Sequence, residues 1–229
     1  MSVEKARENV VKNVLGHIEE YKVIGVGTGR TITKLINIIG RKDRFKNKLY
    51  VPSSYDTLLK LKSFNLKVLD LPSVDHIEVY VDSADEVDNN LNMIKGGGAA
   101  LLREKILASI ADHRVFIIDY TKLVKVLGSK SPVPLEVFPP ALPVVKHSLS
   151  KLDLEWNVRI AKNGKAGPIV TDNGNFIIDV WFKNGVEEPI KTHEILKSIV
   201  GVIETGIFIG YVDILLVGYE DKVEVIDGR

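Results

Sequence analysis

Four residues, Val23-Ile24-Gly25-Val26, run straight into Gly27-Thr28-Gly29, and apolar side chains at helical spacing, Ile32, Leu35, Ile36 and Ile39, follow before Gly40. A run of that length suits a buried strand, and the stripe suits an amphipathic helix, so the segment reads strand, glycine turn, helix. The pattern recurs. Short strands are predicted at 49–51, 67–69, 77–81 and 115–118, with helices over 3–19, 54–64 and 98–111. Strands that alternate with helices, some apolar on both faces, predict a parallel sheet covered on two sides and joined by right-handed crossovers. The expected fold class is therefore α/β with a Rossmann-like parallel-sheet domain. In such sheets ligands bind beyond the carboxyl ends of the strands.

The texture changes at Ser131-Pro132-Val133-Pro134, with Pro139-Pro140 and Pro143 close behind, which marks a boundary. Beyond it the pattern is strand, helix (about 141–151), strand (156–160), strand (175–182), helix (187–198) and strand (201–205). That is a smaller α+β subdomain, ferredoxin-like in its order, over 131–206. The apolar run Val212-Asp213-Ile214-Leu215-Leu216-Val217 is expected to return to the first sheet, so the Rossmann-like domain is expected to comprise 1–130 plus 207–229.

Composition removes several kinds of chemistry. The formal net charge of +1 offers no global field for nucleic acid or an anionic membrane, so an anionic substrate must be captured locally. With no cysteine there is no disulfide framework, thiolate metal site or cysteine nucleophile. The charged, helix-like start lacks the apolar core of a signal peptide, and no apolar run approaches the roughly 20 residues of a membrane span, so a cytoplasmic protein is expected. Histidines 17, 76, 113, 147 and 193 are scattered with no pair at metal-ligand spacing, which leaves acid–base work to carboxylates and lysines.

Three segments carry chemistry. In Gly25-Val26-Gly27-Thr28-Gly29-Arg30-Thr31, glycines allow close backbone approach, and the N–H groups at the helix start suit a phosphate or another oxyanion. Its spacing is neither the dinucleotide fingerprint nor the Walker loop, and an ordinary glycine turn is the alternative. Asp82-Ser83-Ala84-Asp85-Glu86 crowds three carboxylates at the end of a strand, where mutual repulsion calls for a compensating gain from catalysis or cation binding. The alternative there is a turn merely solvated by Glu86 and Asp88. Lys95-Gly96-Gly97-Gly98 leads into a helix carrying Glu104, and three consecutive glycines point to an anion-binding or substrate-embracing loop. Helical spacing puts residues 97, 101, 104 and 108 on one face, so Glu104 is either a partly buried base or a salt-bridged surface group, with Arg103 and Lys105 on other, solvated faces.

With GVGTGRT (25–31), DSADE (82–86) and KGGGAALLREK (95–105) in this order, the chain resembles the type A ribose-5-phosphate isomerase family over nearly its whole length, and VTDNGN (170–175) matches a further family stretch. The resemblance implies an aldose–ketose isomerase of the non-oxidative pentose phosphate pathway that interconverts ribose 5-phosphate and ribulose 5-phosphate without metal or organic cofactor. It implies Glu104 as general base, Asp82 and Asp85 on sugar hydroxyls with Asp82 assisting ring opening, and Lys95 stabilising an enediolate. Thr28, Gly29, Arg30 and Thr31, with Ser83, Ala84, Gly96, Gly97, Gly98 and Lys122, would line the substrate site. Arg30, Ser83 and Leu102 depart from the family's usual serine, glycine and threonine; a guanidinium at Arg30 still suits phosphate, and Arg7 is a second candidate partner. A homodimer or homotetramer is implied, with 131–206 contributing contacts.

Two other readings fit parts of the pattern. An amino-sugar-phosphate deaminase of related fold is disfavoured by the acidic and triple-glycine segments. A non-catalytic sugar-phosphate sensor is disfavoured because no helix-turn-helix or basic stretch precedes residue 20.

Overall fold

A computed structural model describes residues 2–162 and 164–228. The chain divides into two compact units: one takes in the chain up to Ala84, Arg103–Lys122 and the stretch from Tyr211 onward; the other takes in Asp85–Leu102 and Leu123–Gly210. The chain passes from one to the other at 84/85, 102/103, 122/123 and 210/211.

The first unit is built on a seven-stranded sheet. From edge to edge its strands are Val223–Asp227, Ile214–Gly218, Ala111–Asp119, Ile77–Asp82, Val23–Val26, Leu49–Pro52 and Lys67–Val68. All neighbours pair in parallel except the Val223–Asp227 edge, which is antiparallel. Central strands buried on both faces read as continuous apolar runs, which is why 23–26, 77–81 and 115–118 were recognisable in the sequence. The helix Val3–Ile18 is capped by Ser2, whose hydroxyl accepts from Lys5 N, and buries Ala6, Val10, Val11, Val14, Leu15 and Ile18 on one stripe. Its apolar side chains join those of Arg30–Ile39 and the sheet in one core, each fully buried Val, Leu or Ile contributing roughly 1.5–3 kcal/mol.

The second unit contains the strands Val133–Val137, Glu155–Val158, Phe176–Trp181 and Val202–Thr205, with helices Leu142–Lys151 and Pro189–Lys197 between them. Taken in chain order as one to four, these strands lie in the order four, one, three, two, all antiparallel. With the helices after the first and third strands, this is the βαββαβ ferredoxin-like arrangement expected from the sequence. The unit also holds a three-stranded sheet of Glu86–Val87, Met93–Ile94 and Ile207–Phe208, pieces too short for the sequence pattern to reveal. No helix among the described residues is long and apolar enough to cross a membrane.

The predicted helix over 98–111 is observed as Leu101–Ser109. Gly96 at φ 110° and Ala99 at φ 58° hold the backbone outside the helical region, so the glycine segment is a loop and Gly97 does not share a helical face with Glu104.

Candidate active site

In the first unit, Asp82 ends the central strand Ile77–Asp82, and Tyr80, two residues earlier, lies on the same face of it. The Tyr80 hydroxyl donates to Asp82 Oδ2 at 2.5 Å, while the backbone N–H groups of Ser83 (2.7 Å) and Thr28 (3.2 Å) donate to Oδ1. Asp82 is fully buried, and a buried carboxylate is tolerated only with such a set of donors. The arrangement depends on Gly27: a Cβ there would stand 1.8 Å from Asp82 Oδ1. Burial, reinforced by the charges of Asp82 and Glu104, pushes the Tyr80 phenol well above its ordinary range, so it remains a donor. Its ring packs edge-on against Phe116.

Thr28 sits in a cluster of hydroxyls. Its Oγ1 lies 2.7 Å from Ser53 Oγ, 2.7 Å from Ser54 Oγ and 3.1 Å from Thr57 Oγ1, and Thr57 in turn donates to Gly27 O at 2.7 Å. Ser54 also caps the helix Tyr55–Ser63 by accepting from Thr57 N. Gly29 precedes the helix Arg30–Ile39 and offers no side-chain cap to its leading N–H groups. Thr31 is buried and Arg30 is exposed. A hydrogen bond from Lys34 holds the Glu4 carboxyl below its usual range, with desolvation opposing it and the charges of Lys34, Arg7 and Arg30 adding smaller contributions. Arg7 donates through Nε to Asp119 Oδ2 at 2.9 Å. Asp119 Oδ1 accepts from Thr121 N at 3.2 Å, which fixes the turn carrying the half-buried Lys122.

Glu104 lies on the helix Leu101–Ser109 and is 3% exposed, sharing its stripe with the buried Leu101 and Ala108. Of the two outcomes open to it from sequence, it is the buried carboxylate and not a surface one. The neighbouring cations are less solvated than expected: Lys105 is buried, and the Arg103 guanidinium covers the Tyr55 ring at 4.9 Å.

In the second unit, Lys95 is buried, its backbone N–H donates to Gly206 O, and its ammonium lies 5.6 Å from the centre of the Phe208 ring. Gly96 is buried and Gly97 and Gly98 are exposed. Gly97 N donates to the half-buried Asp85 at 2.8 Å. The carbonyls of Gly96 (2.7 Å) and Gly97 (3.2 Å) accept from Arg159 Nη1, and the rest of that guanidinium is forked onto Asp179. A solvated turn at 86–88 is not what forms. Glu86 is fully buried and accepts from the N–H groups of Gly128, Lys130 and Ser131. Asp88 is buried and accepts from Asn90 N and Asn92 N.

Several of these residues lay outside the motifs. Ser54 and Thr57 carry a recognisable helix-start signature just after a strand, so they were accessible to the sequence. Tyr80, Arg159 and Asp179 were not, because each reads as an ordinary strand residue until its partner is known. Glu136, whose Oε1 accepts from Thr171, Asn173 and Asn175 between 2.8 and 2.9 Å, explains the 170–175 segment as a structural turn pinned to a strand. No group of three or more His, Cys, Asp or Glu among the described residues is arranged to hold a metal ion.

The family model for ribose 5-phosphate isomerase A (phosphoriboisomerase A) matches residues 49–222. The ribose-5-phosphate isomerase A of Pyrococcus abyssi is 41% identical over 230 residues, covering 99% of this chain and 100% of that protein. A solved D-ribose-5-phosphate isomerase in complex with phospho-erythronic acid superposes with a TM-score of 0.93 at 40% identity, covering 99% of this chain and 100% of that one. The ribose 5-phosphate isomerase A of Methanocaldococcus jannaschii superposes with a TM-score of 0.91 at 34% identity, covering 99% and 100%.

Proposed function

The chain belongs to the ribose 5-phosphate isomerase A family and is an isomerase, and from that premise we propose that it interconverts D-ribose 5-phosphate and D-ribulose 5-phosphate through an enediolate, with Glu104 as the base. The same reading takes it as a cytoplasmic homo-oligomer of the non-oxidative pentose phosphate pathway. The observation that carries the reading is the Glu104 carboxylate, 3% exposed. A carboxylate held out of bulk water keeps an abstracted proton from being lost to solvent.

The reaction opens the furanose first: the anomeric O1 gives up its proton, the C1–O4 bond breaks, and O4 takes up a proton. Asp82 assists this step. Glu104 then removes the proton from C2 and returns it to C1, while a second proton passes from O2 to O1, which turns the aldehyde into the ketone. One carboxylate placed over both carbons suffices. Charge that develops on the enediolate oxygen is met by the Lys95 ammonium and by N–H groups of the glycine loop. Asp85 accepts from sugar hydroxyls. Thr28, Gly29, Arg30 and Thr31, with the first turn of their helix, hold the phosphate and supply remote binding energy that orients the reacting carbons; Ser83, Ala84 and Lys122 complete the contacts.

Glu104→Gln keeps shape and hydrogen bonding but removes the proton acceptor. In a coupled assay of ribose 5-phosphate conversion with EDTA present, turnover is expected to fall about 100-fold to 10,000-fold with substrate still bound. A variant that keeps more than about a tenth of normal turnover removes Glu104 from the role and transfers it to Asp82 or Asp85.

A further inference from the structure

Three consecutive glycines have wide intrinsic backbone freedom, restrained here by a turn in which Ala99 N donates to Gly96 O at 3.0 Å, yet the proposed chemistry needs their N–H groups fixed more firmly. A flexible loop cannot act as a preorganised oxyanion site. What fixes it is visible in the second unit. Arg159, directly after the strand Glu155–Val158, is forked onto Asp179 of the neighbouring strand, with Nε to Oδ2 at 2.8 Å and Nη2 to Oδ1 at 2.5 Å. Both residues are largely buried, so the guanidinium is immobilised by a bidentate pair. Its remaining nitrogen, Nη1, donates to the carbonyls of both Gly96 and Gly97.

The consequence follows from peptide geometry. No peptide bond in the described chain is cis, and a trans peptide holds its carbonyl and N–H antiparallel. Turning the Gly96 carbonyl to Arg159 turns the Gly97 N–H the other way, where it meets Asp85 at 2.8 Å. Turning the Gly97 carbonyl to the same guanidinium sends the Gly98 N–H in that direction too. Two successive N–H groups on one side of an exposed loop suit an anion, and since Asp85 takes the Gly97 N–H, the Gly98 N–H is the one aimed at an incoming oxygen. The Asp85 carboxylate beside it repels a phosphate dianion more strongly than a singly charged enediolate oxygen and can accept from a neighbouring sugar hydroxyl, so a sugar oxygen suits the loop better than phosphate.

We propose that Arg159, anchored by Asp179, is a positioning residue that clamps the Gly96–Gly98 carbonyls and thereby aims the Gly98 N–H at the enediolate oxygen of the sugar. The proposal rests on the isomerase reading given above. Arg159→Lys keeps the charge but cannot hold Asp179 and two carbonyls together; Asp179→Asn keeps the arginine and loosens its anchor.

Each variant is compared with the wild type for kcat, for KM, for inhibition by phospho-erythronic acid, whose carboxylate presents planar charged oxygens as an enediolate does, and for inhibition by inorganic phosphate. Both variants are expected to lose about 10-fold to 100-fold in kcat and to lose affinity for phospho-erythronic acid in parallel. KM and the inorganic phosphate constant are expected to stay within about threefold of wild type. A rise in KM and weaker inorganic phosphate inhibition with kcat intact would assign the loop to the phosphate and overturn the proposal. A change confined to the melting temperature would make the pair structural only, and overturn it equally. Wild-type turnover of ribose 5-phosphate, and its loss in Glu104→Gln, test the isomerase reading separately. Normal wild-type turnover with unaffected Arg159 and Asp179 variants therefore rejects the clamp alone.

Discussion

Gly27→Ala adds one methyl group at the most crowded point of the first unit. The new carbon would stand 1.8 Å from Asp82 Oδ1 and 1.9 Å from Cγ, where ordinary contact begins at 3.4 Å. The carboxylate must therefore retreat by well over an ångström, and it has nowhere to go without breaking its bonds to Thr28 N, Ser83 N or Tyr80 Oη. Overpacking costs roughly 1–3 kcal/mol, and each hydrogen bond to a charged group that fails contributes about 1.5–3 kcal/mol more. A loss of about 3–6 kcal/mol is a large share of a typical 5–15 kcal/mol. Guanidinium unfolding measures it, and the coupled isomerase assay reads the accompanying fall in turnover. Gly16→Ala is the control: it lies in the interior of the helix Val3–Ile18 with nothing within 4 Å of the added carbon, and should raise stability by about 0.5–1 kcal/mol. A Gly27→Ala protein as stable and as active as the wild type would refute the steric account of Asp82.

Two further outcomes are expected. Hydrogen bonds from Val23 N, at 2.9 Å, and Lys22 N hold the Glu78 carboxyl below its ordinary 4.5. A depressed carboxylate stabilises the fold above its unfolded value and loses that contribution as pH falls. The wild type should thus melt higher than Glu78→Gln at neutral pH, with the gap closing below pH 4.5; a gap that widens in acid rejects the assignment. Arg30→Ser should raise KM for ribose 5-phosphate several-fold while leaving kcat near wild type, and an unchanged KM removes Arg30 from the phosphate site.

Much of the fold was legible because its central strands are buried on both faces and its helices carry clean stripes, so period and length sufficed. The four strands and two helices of the α+β stretch were found from the same cues. Elements of two residues, such as Glu86–Val87 and Met93–Ile94, have no period to read. The start of the glycine segment was misjudged because helical spacing extends formally to Gly97, whereas the positive φ angles of Gly96 and Ala99 exclude it. Motif residues announced themselves by rare chemistry, such as three glycines in a row. Their supports did not. Tyr80 is one apolar-looking position in a strand, and Arg159 and Asp179 stand 20 residues apart, joined only by strand pairing.

The two strands that complete the first unit's sheet arrive last. Ala111–Asp119 has Ile214–Gly218 as its parallel neighbour, so one edge of a central strand stays open while the Leu123–Gly210 part of the second unit is synthesised. At about 5–20 residues per second that interval lasts on the order of ten seconds. A nascent chain therefore carries an apolar, unpaired strand edge long after its Thr28 and Asp82 segments have left the ribosome. Premature termination near residue 210 would leave that edge permanently exposed, a template for aggregation in place of an enzyme.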